Sequence, residues 1–355
     1  MSFPGIVLAI LALGFLIVVH EAGHFFVARW CGMRVERFSV GFGPGILKHK
    51  AKSGTTFQLA PIPFGGFVEI RGMNLAEEVD PDDAAAYPNR PVWQRFLTIL
   101  AGPATNYVSA IFLAFALYTC HGMAGDTYYI GAMITGKGFD AEGKLEPNDR
   151  IIAVNGVTMI SPSSETLSKA INETQGKPVS VTVLRGSLVV TKMIQPKLAT
   201  ENGKELLVDG KRQYQIGVGL TPDIVDVSVA RAASGAVRYP IDMTRAILGG
   251  LKDIFTGKED ADPGGPVRIV KEFETAFSRG LADGVKLLMM LSVYLGLFNL
   301  FPLPALDGGR LVFLSYEMVT RRRANPKIET MVHLGGIMVL MVVMILVTLR
   351  DFHVI

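Results

Sequence analysis

The sequence predicts a mixed architecture: a polytopic α-helical membrane protein with about four transmembrane helices, a β-hairpin and an extramembrane α+β domain. Three observations predict it. Hydrophobic residues make up 49% of the 355 positions and charged residues only 19%, too apolar a balance for one small soluble domain. Four stretches, Pro4–Ala28, Phe96–Tyr118, Val285–Phe301 and Val332–Leu349, each approach the roughly 20 residues that a bilayer-crossing helix needs. Between the second and third stretches lies a long polar region in which strand-like runs accompany one helical pattern.

The first span carries the chemistry. His20-Glu21-Ala22-Gly23-His24 follows an almost wholly apolar run, Gly5 to Val19, and leads into Phe25-Phe26-Val27-Ala28. Histidines at i and i+4 share one helix face, so both imidazoles can hold one metal ion. Glu21 borders the same cleft and can polarise a metal-bound water. Two histidines in a bundle core, hydrogen-bonded to each other, are the bland alternative. Ionisable groups in hydrocarbon are costly to bury, which favours the functional reading. The segment is not expected to be a cleavable signal peptide, because Met1-Ser2-Phe3-Pro4 has no basic start and the run holds the motif itself.

After this span, Thr56–Leu59 and Gly66–Ile70 flank a Pro/Gly turn and read as a hairpin. The second span, Phe96–Tyr118, has no Asp, Glu, Lys or Arg in its interior. Cys31 and Cys120 fall near opposite ends of the first pair of spans, so two unpaired thiols are expected rather than a disulfide.

In the polar region, strands are expected at Tyr128–Ile134, Arg150–Val154, Val179–Leu184 and Val189–Ile194, with a helix around Ser163–Glu173. Beyond them, Ser228–Phe255 places Ile241, Ala246, Ile247, Leu248 and Leu251 at helical spacing. That pattern suggests an amphipathic helix on the outer surface or against the extramembrane domain.

The third span ends in Asn299-Leu300-Phe301-Pro302-Leu303-Pro304-Ala305-Leu306-Asp307-Gly308-Gly309. Its prolines disfavour a continuing helix, and irregular backbone at membrane depth requires burial or a wet cavity. A catalytic zinc usually takes three protein ligands and keeps one position open. Asp307 is the candidate third ligand, aimed inward by a Gly-Gly turn. The first and third spans run in the same direction, so His20, His24 and Asp307 come level. An ordinary turn aspartate is the competing reading. Glu317, followed by Arg321 to Arg323, looks interfacial, as does His333 at the start of the fourth span, although His333 can also support the ligands from behind.

Lys and Arg cluster after the first span (Arg29, Arg34, Arg37, Lys48, Lys50, Lys52) and between the third and fourth (Arg321, Arg322, Arg323, Lys327). The positive-inside rule makes those segments cytoplasmic and puts both termini and the polar region outside. The metal-binding residues then lie near the cytoplasmic side. A net charge of +3 gives no argument for nucleic acid.

These residues resemble the bacterial site-two intramembrane zinc metalloproteases, and among them the Gram-negative regulators of envelope stress that carry periplasmic PDZ domains. The likeness covers nearly the whole chain. It rests on His20 to His24, on Asn299 with Leu306-Asp307-Gly308, on Phe57 to Val68, on Gly102-Pro103-Ala104-Thr105-Asn106 and on Gly264-Gly265-Pro266-Val267. Lys144 to Gly156 resembles a PDZ core segment, with Asn148 where Gly is usual, and Tyr129-Ile130-Gly131-Ala132 would be its carboxylate-binding loop. Tyr294 departs from relatives that have Asn there.

The resemblance implies one Zn²⁺ per chain held by His20, His24 and Asp307, with Glu21 catalytic. It also implies a membrane-associated hairpin whose Gly65, Gly66 and Phe67 bind substrate by strand addition, and Asn299 as a further substrate-binding residue. The chain then divides into 1–121, the first half of the protease core; 122–200, a single periplasmic PDZ-like domain; 201–281, a periplasmic or surface helical connector; and 282–355, the second half of the core. It implies a multi-pass protein of the bacterial inner membrane that cleaves single-span membrane proteins, anti-sigma factor or remnant signal peptides, after another protease has trimmed them. Two other readings compete with this one. A metal transporter or sensor would spread ionisable groups through several spans, and spans two and four have none inside. An inactive PDZ scaffold would not need Glu21.

Overall fold

The computed structural model describes residues 3–74, 77–136, 138–159, 164–201, 204–205, 207–208, 211–258 and 264–351. Its chain divides into two compact units, residues 1–120 with 229–355, and residues 121–228.

The first unit is mainly helical: α1 (Phe3–Trp30), α2 (Val92–His121), α4 (Val229–Phe255), α5 (Pro266–Arg279), α6 (Leu281–Leu300), α7 (Asp307–Thr320) and α8 (Pro326–Asp351), while α3 (Ser164–Glu173) belongs to the second unit. Four helices are long and apolar enough to cross a membrane: Gly5–Trp30, Val92–His121, Leu281–Leu300 and Pro326–Asp351. They contain the four stretches expected from the sequence, apart from Pro4 and Phe301 at the two ends. Small residues let the helices close on one another. Ala110 and Ala114 of α2, both fully buried, pack against Val293, Leu297 and Met289 of α6 and against Ile247 and Ala236 of α4. Phe273 of α5 is buried on Ala9 and Ala12 of α1. The α4 segment, read from its apolar spacing as amphipathic, therefore lies along α2 and α6. By contrast, α8 turns Val339 to Leu346 outward as continuous apolar surface, which suits contact with lipid tails.

Between α1 and α2 the chain forms a four-stranded sheet of β1 (Val35–Phe42), β2 (Leu47–Lys50), β3 (Thr56–Leu59) and β4 (Ile62–Ile70), in the order β2-β3-β1-β4. This corrects the expected hairpin. The runs at Thr56–Leu59 and Gly66–Ile70 are strands, but they do not pair with each other. β1 lies between them, parallel to β3 and antiparallel to β4. Only Ala60 and Pro61 link β3 to β4, so the chain arches over the end of β1 instead of folding back on itself. The alternation of β1 is imperfect, so its sequence does not read as a strand: Val35, Phe38 and Val40 alternate with Glu36, Arg37 and Ser39 only loosely. Its inner face packs on α1, where Val35 and Ile70 join Ala28, Cys31 and Met33. Cys31 is buried and Cys120 exposed, and both are free thiols.

The second unit holds β5 (Met123–Met133), β6 (Arg150–Val154), β7 (Val157–Thr158), α3 (Ser164–Glu173), β8 (Val179–Arg185), β9 (Leu188–Ile194) and, after short two-residue ladders, β10 (Val218–Val225). Every strand expected here is present, and so is the helix; Ser163 lies outside the described residues. One sheet runs β7-β6-β8-β9, and β5 pairs with β10. Ile130, Ile151, Ile171, Val181 and Ile194 form its core. Asn148 has φ 72°, the left-handed conformation that Asn tolerates where Gly is usual. Tyr129 to Ala132 is not a loop: it lies within β5, with Ile130 fully buried. Asp149 is 1% exposed and accepts two hydrogen bonds from Arg185, at 2.8 and 2.7 Å, and one from the Glu146 N–H at 2.8 Å. Burial alone would raise this carboxyl, but the Arg185 and Glu146 hydrogen bonds hold it below the usual carboxylate range.

Candidate active site

α1 presents His20 and His24 one turn apart, 9% and 7% exposed. Their Nε2 atoms are 3.2 Å apart. Asp307 Oδ2 lies 3.1 Å from one and 3.3 Å from the other. Asp307 arrives from a different element than the sequence suggested. It is the first residue of α7, with Leu306 as N-cap in extended conformation, a position where the helix dipole favours a carboxylate. Gly308 and Gly309 are helical and allow close approach, not a turn. A Cβ on Gly308 would stand 2.0 Å from the Phe301 carbonyl oxygen, and one on Gly309 2.5 Å from that of Leu303. The bend comes earlier, at Ala305, whose φ of 73° is strained for a residue with a Cβ.

Two contacts orient the imidazoles. His24 Nδ1–H donates to the Thr98 carbonyl at 2.8 Å, which leaves the Nε2 lone pair facing Asp307. His20 Nδ1 lies 3.0 Å from the Asn106 side-chain amide. Asn106 is fully buried and its Oδ1 has no hydrogen-bond partner. Rotated by half a turn, that amide offers Oδ1 to a proton on His20 Nδ1 and frees His20 Nε2 for the cluster.

The donor set fits a zinc ion. The two Nε2 atoms and a carboxylate oxygen lie within 4.8 Å of one another, and Asp307 Oδ2 is buried without a hydrogen-bond donor. With His24 Nε2 fixed as a lone pair, a shared cation satisfies all three atoms, and two imidazoles with a carboxylate are a usual catalytic zinc set.

Glycines bring the walls together. A Cβ on Gly23 would lie 2.3 Å from the Ala101 carbonyl oxygen, and one on Gly102 would lie 2.2 Å from His24 Nε2. Gly66 sits on Ile17 and comes within 3.4 Å of the Glu21 Cγ by the same measure. The Val68 N–H faces Glu21. Phe67 stacks on Phe42 with ring centroids 6.4 Å apart, and Gly65 at φ 124° clears that same Phe42 ring.

Asn299 is not drawn into the cluster: its amide donates to Leu295 O in its own helix at 2.9 Å. Tyr294 stacks on Phe298. Glu317 binds Arg95 at 2.5 Å and is no rival ligand. His333 accepts the Ala305 N–H at 3.1 Å, so it supports the backbone beside Asp307. Thr98, Asn106, Gly23 and Gly102 complete the site. Of these, Gly102 and Asn106 lie in the Gly-Pro-x-x-Asn run and Gly23 in the His20–His24 motif, whereas Thr98 had no sequence signal.

Residues 8–343 match the family model described as peptidase family M50. Over 352 residues the chain is 33% identical to a protein of Clostridium perfringens named "Putative zinc metalloprotease", covering 98% of each chain. A protein of the same description from Agrobacterium fabrum is 29% identical over 96% of this chain and 94% of its own. One from Brucella suis is 31% identical over 86% of this chain and 83% of its own.

Proposed function

The chain belongs to peptidase family M50 and is a membrane-integral zinc metalloprotease, and from that premise we propose that it cuts the transmembrane segments of single-span membrane proteins inside the bilayer. The observation that carries this reading is the convergence of Asp307 on His20 and His24, which lie within α1, a helix of membrane-spanning length.

His20, His24 and Asp307 would hold one zinc per chain, which when bound would supply polarisation of the scissile carbonyl and a lowered pKa for water. Glu21 takes the proton from the attacking water and returns it to the leaving amine. His24 is held in the required tautomer by the Thr98 carbonyl and His20 by Asn106. A transmembrane helix hides its peptide bonds in its own hydrogen bonds and must unwind before hydrolysis. The outer edge of β4, beside Gly65, Gly66 and Phe67, can take the unwound stretch as an added strand. Asn299 would have to release Leu295 O to assist.

In this reading the protein is a multi-pass component of the bacterial inner membrane. Its termini and a PDZ-like second unit are periplasmic, and its site lies near the cytoplasmic side, as the Lys and Arg distribution supports. The domain division is that of a protease core in two halves, a PDZ-like insertion and a helical connector. Substrates are anti-sigma factors or remnant signal peptides delivered by an upstream protease, in regulated intramembrane proteolysis. The test is Glu21→Gln in the purified, detergent-solubilised protein. Zinc content should stay at the wild-type level while cleavage of a transmembrane substrate falls about 10²–10⁴-fold. Wild-type turnover by that variant would remove Glu21 as the base.

A further inference from the structure

The end of α1 and the start of α2 are tied together by Arg90, whose Nη2 donates to the Gly32 carbonyl at 2.5 Å. Both tryptophans of the chain stand there, Trp30 as the last residue of α1 and Trp93 in the first turn of α2. They are 78% and 51% exposed, and tryptophans placed so on membrane-spanning helices mark the level of the lipid headgroups. Beside them an open cavity of about 570 Å³ lies between the start of α2 and the end of α7. Arg90, Arg95, Arg321 and Arg323 line it, and Glu317 is the one acidic residue that does so among the described residues. Glu317 is already held: Arg95 donates to both of its oxygens, at 3.1 and 2.5 Å, and Arg323 Nε stands 3.5 Å from it. Arg323 also donates to the Pro88 carbonyl. The Arg321 guanidinium has no hydrogen-bond or ion-pair partner among the described residues. Its backbone closes α7 at φ 56°, a left-handed cap that glycine takes freely and a residue with a Cβ does not. Four positive charges facing one negative charge leave the cavity short of an anion.

We infer that this cavity binds the phosphate of an anionic phospholipid, with Arg321 and Arg323 as its donors. Planar guanidinium groups match pairs of phosphate oxygens. The headgroup level marked by the tryptophans favours a lipid over a free phosphate, and Val92 and Met318 in the same lining suit its glycerol and first methylenes. A strained Arg321 in a position made for glycine is explained if its side chain is what the site uses. The inference needs only that the chain is membrane-integral and is independent of the proteolytic reading.

The test uses full-length protein carrying Trp30→Phe, so that Trp93, next to the cavity-lining Val92, is the sole tryptophan. It is reconstituted in mixed bilayers, and quenching of Trp93 by brominated phosphatidylglycerol is compared with quenching by brominated phosphatidylcholine. Salt is held at about 1 M, where the screening length of about 3 Å removes the diffuse attraction of a basic surface. Phosphatidylglycerol should still be preferred about tenfold, the worth of a hydrogen bond to a charged group. Arg321→Gln and Arg321→Gly should each abolish most of that preference. Arg322→Gln, which removes the same charge from a neighbour outside the lining, should keep it. Arg321→Gly should also raise the thermal midpoint, because it relieves the left-handed cap, so its lost preference is not lost folding. Arg321→Gln serves as the second variant should glycine loosen the turn. Equal quenching by the two lipids in the parent protein overturns the inference, as does a preference kept by both Arg321 variants. Equal loss in Arg321→Gln and Arg322→Gln would mean a diffuse basic surface and overturns it too. If inorganic phosphate, added equimolar to the phosphatidylglycerol, abolishes the preference, the cavity takes free phosphate and the lipid assignment is overturned.

Discussion

Two aspartates with buried carboxylate oxygen, one in each unit, are held in opposite ways. In the second unit both Asp149 oxygens accept hydrogen bonds, from Arg185 and the Glu146 N–H. In the helical unit Asp307 Oδ2 is buried with no donor, and two imidazole nitrogens face it. The contrast extends beyond this pair. Among the described residues, the buried side-chain polar atoms without a partner belong to Arg90, Gln94, Asn106, Asp307 and His333, all in the helical unit. A carboxylate closed by its own protein is a structural clamp, while one left open beside lone pairs is a ligand. Three of those five residues line or orient the proposed catalytic centre.

The largest break in the comparison is to remove a ligand. His20→Ala, His24→Ala or Asp307→Ala should each lower zinc affinity by more than the roughly 10–100-fold that outer-shell partners are worth, read as zinc content after dialysis against a chelator. Full zinc in Asp307→Ala would make its unpartnered oxygen a packing accident.

Next come the glycines. Gly23→Ala drives a Cβ to 2.3 Å from backbone, and Gly102→Ala drives one to 2.2 Å from His24 Nε2. Overpacking of this kind costs about 1–3 kcal/mol or more, so both variants should lose thermal stability and zinc together. Gly186→Ala in the second unit is the control. Its Cβ would meet nothing within 4 Å, and only its φ of 60° resists substitution. It should leave zinc content untouched. A third experiment sharpens the role of Asn106. Asn106→Ala should weaken zinc binding about 10–100-fold, whereas Asn106→Asp, which keeps an acceptor for His20 Nδ1–H, should recover most of that loss. Equal loss in both would mean that Asn106 only fills space.

Much of this site was legible in the sequence, for reasons that also explain what was not. His20, Glu21 and His24 sit on one helix, so spacing alone places them on one face. Asp307 followed from span direction and from prolines that end a helix, yet its setting at the start of α7 did not, because Gly308-Gly309 reads locally as a turn. Only the Phe301 and Leu303 carbonyls pressed against those glycines reveal their role. The order of the small sheet was also hidden. β1 carries Glu36 and Arg37, whose charges are taken up by Arg71 and Glu69 across space, so its strand pattern is blurred in one dimension. Thr98 acts through its carbonyl, and a backbone atom leaves no trace in residue identity. The second unit read well because its strands are short, β-branched and alternate regularly, as in Val179–Arg185.

The smallest expected effect tests the clamp itself. Asp149→Asn removes the charge that Arg185 grips and turns one acceptor into a donor. A weakened charge-assisted bond at a buried site is worth about 1–3 kcal/mol. In the full-length protein at pH 7, limited proteolysis within residues 121–228 should accelerate while zinc content stays constant. The pH dependence follows from the sign of the shift. Asp149 is held below the ordinary carboxylate value, so its contribution is complete above the free value of about 3.9 and is lost as pH falls through its own lower value. Proteolysis of wild-type protein by an acid-active protease should therefore steepen below about pH 4, and Asp149→Asn should show a flatter profile across that window. If Asp149→Asn instead lowers zinc at pH 7 as much as Asn106→Ala does, the carboxylate in the second unit is no independent clamp, and the contrast between the two aspartates collapses.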